Sequence, residues 1–576
     1  MPPSEAAPSY SQIVAGLTGP GAPFEIVEET VHGRPMRNWK NRERSLREKV
    51  AAAAARGDLP FLVQGERRIS YGDFARQVWG AARGLERDHG FGRGDRLSVL
   101  AYNSPDWLIA LFGAVSLGGV GVGLNGWWTT EEIEYGLTDS GSRALVVDAR
   151  LYPRVEPLLR QRRLPELDRV FYVGEASEAP EGTVPIGELI QPWDTAPEGP
   201  IDEDDPFVIL YTSGTTGRPK GCITTHRGTI AQVTGIIFSA IVGAASGGAR
   251  PLADGGGQMA NLLTSPLFHV GGLHSNFCTG LTSGAKMVFN RGKFDPVEVM
   301  QLIQDERISN WGAIPTMLHR VVHHERVGEF DLSSLKSISF GGAPTAPETI
   351  AKAREVLPIE PSFTNAYGLT ETHGVATVNG GKDLLDKTTS VGRPMPLMEL
   401  AIRDEDGKPM PDGQLGELCF YGPLVTPGYW NRPEATAETV REGWLHTGDL
   451  GYRDGDGFFF VVDRAKDMII RGGENVYCTE IENCLADHPE IEEAAIIGVK
   501  DPDLGERVKA VVKRVPGSTL GENVVRQHVA AHLASFKVPE FVDFIDAPLP
   551  RNPAGKILKN VLRDEGAVPF APEDLE

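Results

Sequence analysis

The sequence predicts an α/β protein of layered, parallel-rich sheets and helices, closed at its carboxyl end by a small α+β unit. Three observations carry that expectation. Apolar, β-branched runs alternate with helix-like segments over the first three quarters of the chain, the pattern of strands joined by helical crossovers. The texture changes after Asp463-Arg464. The 576 residues, 41% of them apolar, exceed one ordinary core, so at least two domains are expected, here 1–463 and 464–576.

The alternating elements are Arg96 to Ala101 (RLSVLA), a helix opened by Ser104-Pro105-Asp106, then Arg143 to Asp148, Val170 to Val173 and Phe207 to Tyr211. Two nearly uncharged stretches, Leu108 to Leu124 and Gly228 to Ala249, are interrupted by glycines or polar residues and read as buried elements, not membrane spans. Ala245 to Gln258 is glycine-rich and reads as a surface loop. In the last ~110 residues, Thr479-Glu480-Ile481-Glu482 reads as a capping box. Strands are expected at Ala494 to Val499 and Arg507 to Val515, and the linker near Lys466.

Charge and cysteines narrow the function classes. With 57 basic and 78 acidic residues, the formal charge is −21, which opposes binding to a phosphate backbone and argues against a nucleic-acid partner. Anionic small molecules must then meet local positive charge or a metal. Five scattered cysteines suggest neither a disulfide framework nor a metal knuckle. The amino terminus shows no export signal. The expected setting is cytoplasmic, the expected assembly a homodimer or monomer, and peripheral membrane contact stays open.

The most informative segment is Tyr211 to Gly221 (YTSGTTGRPKG), directly after a predicted strand. Its small residues let backbone amides approach an anion, its hydroxyls donate, and Lys220 adds charge. It is not a Walker A loop. Gly121-Val122-Gly123-Leu124-Asn125-Gly126 satisfies GxGxxG, yet the next capping signal is Thr129-Thr130, so no helix starts on the glycines and a dinucleotide site is discarded. His319 and His323 have zinc-ligand spacing without a third ligand and read as solvent-facing.

Together with later motifs in matching order, this loop resembles the signature of the acyl-adenylate-forming superfamily, which includes acyl-CoA synthetases, luciferases and peptide-synthetase adenylation domains. The resemblance runs from about Leu59 to Arg563. It implies a large amino-terminal adenylate-forming domain, a small mobile carboxyl-terminal domain, and ATP, Mg²⁺ and coenzyme A as reactants or cofactors. It assigns ATP contacts to Thr212, Ser213, Gly214, Thr215, Thr216, Gly217 and Lys220, and an adenine-pocket turn to Gly342, Ala343 and Pro344. In Asn365-Ala366-Tyr367-Gly368-Leu369-Thr370-Glu371 it implies that Tyr367 stacks on adenine, Thr370 bonds the α-phosphate and Glu371 holds magnesium. Asp449 would accept from the ribose hydroxyls and Arg464 would contact ribose. Lys466 would be the hinge, Gly473 would border the pantetheine tunnel, and Lys556 would bridge substrate carboxylate and α-phosphate.

Substrate choice is read from departures within the resemblance. His269 stands where amino-acid-activating members carry an aspartate. An ammonium buried there would lack a counter-charge, so an α-amino acid is not expected. His269 instead resembles a gate between acyl pocket and thioester tunnel, a core histidine being the alternative. Gly368 stands where acetate-specific relatives carry tryptophan. Gly271, Gly272, Gly341, Gly342 and Gly368 are expected to leave room, and Phe268, Leu273, Trp311 and Ile338 to supply apolar walls. The expected substrate is a medium or long fatty acid or a bulky hydrophobic acid, joined to CoA through its adenylate. Loading of a carrier protein and a non-catalytic adenylate-binding homologue are the alternatives, with oxidative light emission a remote fourth activity.

Overall fold

The computed structural model describes residues 10–212, 218–246, 257–342, 347–357, 362–464, 467–471, 474–501, 504–552 and 556–563. Two large sheets form the body. In the seven-stranded sheet, Arg96–Leu100 lies between Val120–Gly123 and Ala144–Asp148, parallel to both. Pro206–Thr212 continues the sheet in parallel, and Lys220–Thr225 closes that edge antiparallel to it. The nine-stranded sheet carries Lys286–Phe289, Ala260–Leu263, Asn310–Ala313, Ser337–Gly341 and Ser362–Leu369 side by side and all parallel. Gly374–Gly380 then turns back antiparallel.

Helices Tyr71–His89 and Pro105–Ser116 belong to the core shared with both large sheets. The second is buried on every side, which explains its unbroken apolar run. It starts where expected because Ser104 Oγ accepts from the Trp107 amide and Pro105 needs no partner for a missing N–H. A smaller five-stranded sheet ends at Arg464. Another five-stranded sheet is built entirely from Ile469 onward, around Ile491–Asp501 and Gly505–Arg514, with helices Cys478–Ala486 and Glu522–His532.

The expected strands fall where the sequence places them, within a residue or a few at each end. The GxGxxG glycines lie in and after the strand Val120–Gly123, and the helix waits for a Thr129/Glu132 capping box. His319 and His323 are exposed and their rings stack on each other at 4.1 Å. The expected capping box at Thr479 is corrected: the helix starts at Cys478, and Asp463 Oδ2 accepts from the Cys478 amide at 2.6 Å. Glu482 is drawn away instead, accepting from the Ile496 amide and pairing with Lys559 at 2.8 Å each. A cap supplied from fifteen residues upstream leaves no local signature.

Helix His226–Ala245 is the one described helix long and apolar enough to cross a membrane, and half of its apolar window is buried inside the protein. Most of the glycine-rich stretch from Ala245 to Gln258 lies outside the described residues.

Candidate active site

A cavity of about 1320 Å³ opens along the nine-stranded sheet. Pockets for one small ligand run to about 300–1,000 Å³, so this cavity exceeds what a single reactant needs. At one end Thr212 and Lys220, opposite each other on the antiparallel strands that bracket residues 213–217, reach the wall. Thr370, Glu371 and Lys556 line the same space. The three sequence segments expected to meet around one nucleotide therefore share a cavity. Lys220, Arg441, Arg464 and Lys556 supply its cationic lining there, the local positive charge an anion needs on an acidic protein.

Each group is held by identifiable contacts. Lys220 Nζ stands 5.2 Å from the centre of the Tyr429 ring. Tyr429 Oη donates to Glu371 Oε1 at 2.6 Å, and burial beside that carboxylate pushes the phenol well up. Glu371 Oε2 has no hydrogen-bond partner among the described residues and is a hard oxygen of the kind Mg²⁺ takes. Lys556 is set by reciprocal bonds with Asn552: its amide donates to Asn552 Oδ1 at 2.9 Å, and the Asn552 amide donates to its carbonyl at 2.8 Å.

Thr370 and Glu371 sit in a tight turn directly after the strand Ser362–Leu369. Two residues that sequence reasoning missed fix it. Thr372 Oγ1 accepts from the Leu369 amide and donates to the Gly374 carbonyl. His373, in the left-handed region at φ 56°, donates from Nδ1 to the Leu424 carbonyl at 2.7 Å and accepts at Nε2 from the Thr225 amide at 2.8 Å. Burial holds that ring's pKa at about 4, so it stays neutral and keeps both bonds. Both residues follow the motif immediately, but nothing in their spacing marks them as anchors. Glu417, also unforeseen, accepts from the Gly448 amide at 2.8 Å and pairs with His446 at 2.7 Å, fixing the turn before Asp449.

Three nucleotide residues stand behind the cavity wall. Along Ser362–Leu369 side chains alternate: Thr364, Ala366 and Gly368 reach the cavity, whereas Asn365 and Tyr367 face the other way. Asn365 Nδ2 donates to the Ser390 carbonyl. The Tyr367 ring stacks on Phe420, and its hydroxyl donates to Asp449 Oδ2 at 2.5 Å. Burial, then the Asp449 charge, pushes the Tyr367 phenol far up. Asp449 is buried and its other oxygen meets Arg464 Nε at 3.1 Å. Gly342, at φ 81°, lies on the wall. Ser213, Gly214, Thr215, Thr216, Gly217, Ala343, Pro344, Lys466 and Gly473 lie outside the described residues.

The acid end departs from expectation most. His269 is on the wall, and burial holds its pKa at about 4. Its Nε2 is buried without a hydrogen-bond partner among the described residues. Phe268, Leu273, Trp311 and Ile338 are corrected from pocket walls to core residues. The reason for Trp311 and Ile338 is strand parity: their neighbours Asn310, Gly312, Ser337 and Ser339 face the cavity. Trp311 points into the opposite core and its Nε1 donates to Thr264 Oγ1 at 3.0 Å.

The glycines are corrected as well. A Cβ on Gly272, Gly341 or Gly368 would stand 2.1 Å from the Pro266 oxygen, 2.3 Å from the Ala366 oxygen or 1.8 Å from the Gly374 oxygen. Those three permit close backbone approach and do not hollow the pocket. Of the five glycines expected to leave room, only at Gly271 and Gly342 does a Cβ meet nothing within 4 Å, and at Gly342 a φ of 81° disfavours any side chain.

Family models support one assignment. Residues 49–430 match the AMP-binding enzyme model, and residues 480–556 match the AMP-binding enzyme carboxyl-terminal domain. A feruloyl-CoA synthase of an Amycolatopsis species is 35% identical over 87% of this chain and 94% of its own. A fatty acid–[acyl-carrier-protein] ligase of Streptomyces coeruleorubidus is 36% identical over 82% of this chain and 87% of its own. The ATP-bound structure of MatB from Rhodopseudomonas palustris superposes with a TM-score of 0.78 at 28% identity, covering 90% of this chain and 98% of that one.

Proposed function

The chain belongs to the AMP-binding enzyme family of the acyl-adenylate-forming superfamily, and on that premise we propose that it joins a carboxylic acid to coenzyme A in two steps. A carboxylate oxygen attacks the α-phosphorus of ATP, displacing pyrophosphate and leaving the acyl-adenylate. The CoA sulfur, having lost its proton, then attacks the acyl carbon, and AMP departs. The observation that carries this reading is the convergence of Lys220, Thr370, Glu371 and Lys556 on one cavity with room for a nucleotide and an acid.

Roles follow from position for the residues on the cavity wall and from family membership for the rest. Lys556 stabilises charge building between carboxylate and α-phosphate, Thr370 donates to the phosphate, and Lys220 with residues 213–217 grips the outer phosphates. Glu371 Oε2 would hold Mg²⁺, which supplies charge neutralisation on the phosphates. Arg464, on the wall, meets the ribose, and family membership assigns the ribose hydroxyls to Asp449, which is bonded to Arg464 behind that wall. A carboxylate offers about four lone-pair sites, so Asp449 keeps acceptor capacity beside Tyr367 and Arg464. Asn365 and Tyr367 back the adenine side together with Gly342, Ala343 and Pro344. His269, neutral and with no hydrogen-bond partner for Nε2 among the described residues, stands where acid and thiol would meet. Lys466 is the pivot that brings Gly473 beside the pantetheine arm for the second step.

The acyl-carrier-protein ligase among the relatives keeps a second acceptor in view. The test is pyrophosphate and AMP release over a panel of fatty and aromatic acids, with CoA or phosphopantetheinylated carrier protein supplied separately. Acid-dependent AMP with thioester formed on CoA is expected. Thioester formed only on the carrier moves the assignment to the second reading, and no acid-dependent AMP removes both.

A further inference from the structure

The floor of the acid cavity carries a polar row that no nucleotide contact explains. In the parallel register Asn261 stands beside Asn310, Asn310 beside Ser337, and Ser337 beside Ser362. All four reach the cavity. One residue further along, the neighbouring row Leu262, Trp311, Ile338 and Phe363 is buried in the opposite core. The polarity is thus confined to the face that meets the cavity. None of the four polar side chains has a hydrogen-bond partner among the described residues, and Asn261 Oδ1 is fully buried. A buried amide oxygen left unpaired costs about 1–3 kcal/mol, so turning the Asn261 amide toward the cavity is favoured by a ligand that brings a donor, and Asn310, Ser337 and Ser362 on the same face offer further polar contacts.

We infer that Asn261, with Asn310 and Ser337, reads a hydroxyl group on the acid, remote from its carboxylate. The inference rests on the acid-activating reading above and names its substrate class: a hydroxyl-bearing acid instead of a plain alkyl one. Ser337 lies four residues before Gly341 on one strand, so the row sits ~13 Å from the reacting end at ~3.3 Å per residue. The row itself holds no charged residue, so a second carboxylate or an ammonium would be desolvated there without a partner. A neutral alcohol or phenol is not. Across the cavity, Ile236, Ile237 and Ala240 of the helix His226–Ala245 offer an apolar wall, which accepts the carbon skeleton between the two polar ends.

Two matched pairs of acids test this: 10-hydroxydecanoic against decanoic acid, and 4′-hydroxybiphenyl-4-carboxylic against biphenyl-4-carboxylic acid. The readout is the ratio of kcat/KM for acid-dependent pyrophosphate release within each pair, which does not depend on the fraction of folded enzyme. The full chain should favour a hydroxylated acid by ~10-fold or more. Asn261→Leu, close in shape, should bring that ratio to about one by raising the efficiency with the plain acid, and Ser337→Ala should lower it in part. A ratio of one or below in the unmutated chain overturns the inference while leaving the ligase intact, as does a high ratio that Asn261→Leu and Ser337→Ala both leave unchanged. Absence of pyrophosphate release with every acid tried would overturn the ligase reading and this subsite together.

Discussion

The two ends of the cavity are built by different rules. At the nucleotide end, protein contacts position the reactive residues: Glu371 is tied through Oε1 to Tyr429, Asp449 to Tyr367 and Arg464, and the backbone of Lys556 to Asn552. At the acid end, the polar groups of the sheet face and His269 Nε2 have no protein partner among the described residues. A group held by protein contacts is positioned before the reactant arrives. A group left without one discriminates between reactants, because only some of them can satisfy it. The nucleotide end should therefore govern rate, and the acid end choice.

Breaking the nucleotide end should give the largest effects. Lys556→Ala is expected to slow adenylate formation by ~10²- to 10³-fold while thioester formation from supplied acyl-adenylate changes little. Single-turnover assays of each half-reaction check this, and equal losses in both would contradict the division of labour. Glu371→Gln removes the carboxylate oxygen proposed for Mg²⁺ and should cost ~10²-fold in the first step, with a raised magnesium requirement as its particular mark.

Changing the acid end should move preference more than rate. Gly271→Phe projects a ring where a Cβ meets nothing within 4 Å, so the fold should persist. It should shift kcat/KM toward shorter acids by ~10-fold, read from a chain-length series. Ala in place of Gly368 is the contrasting case: its Cβ would strike the Gly374 oxygen at 1.8 Å. Loss of folded protein, without any change in acid preference, is expected from thermal unfolding.

The same contrast explains what the sequence disclosed. Motifs at the nucleotide end are short and contiguous, so Thr370-Glu371 and the segment holding Lys556 were recognisable as strings of residues. The acid end is written in strand parity across four separate segments. Trp311 and Ile338 are the apolar residues one expects on a pocket wall, yet a one-residue phase decides that Asn310 and Ser337 face the cavity instead. Tyr367 shows the same limit inside a recognised motif: its identity was legible, but its side of the strand was not. Anchors such as Glu417 and His373 act through backbone partners distant in sequence, and no local spacing announces them.

The smallest effect, and the one that joins both ends, concerns acid. His226, His274 and His373 are buried and His269 is half-buried, and desolvation lowers the pKa values of His226, His269, His274 and His373 to about 4, about 4, about 3 and about 4. In the unfolded chain such rings take up protons near pH ~6.5. Between those limits the unfolded state binds more protons, so stability is complete above pH ~6.5 and falls as pH drops toward ~4, by at most ~1.4 kcal/mol per ring per pH unit. His373 makes this local as well as global: a proton on Nε2 displaces the bond from the Thr225 amide, loosening the turn that carries Thr370 and Glu371. Denaturation midpoints measured from pH 7 to pH 5 should therefore decline. His226→Gln should flatten the slope without touching the turn, whereas His373→Gln should flatten it and lower kcat at pH 7. A midpoint independent of pH over that interval would show that these rings titrate alike in both states.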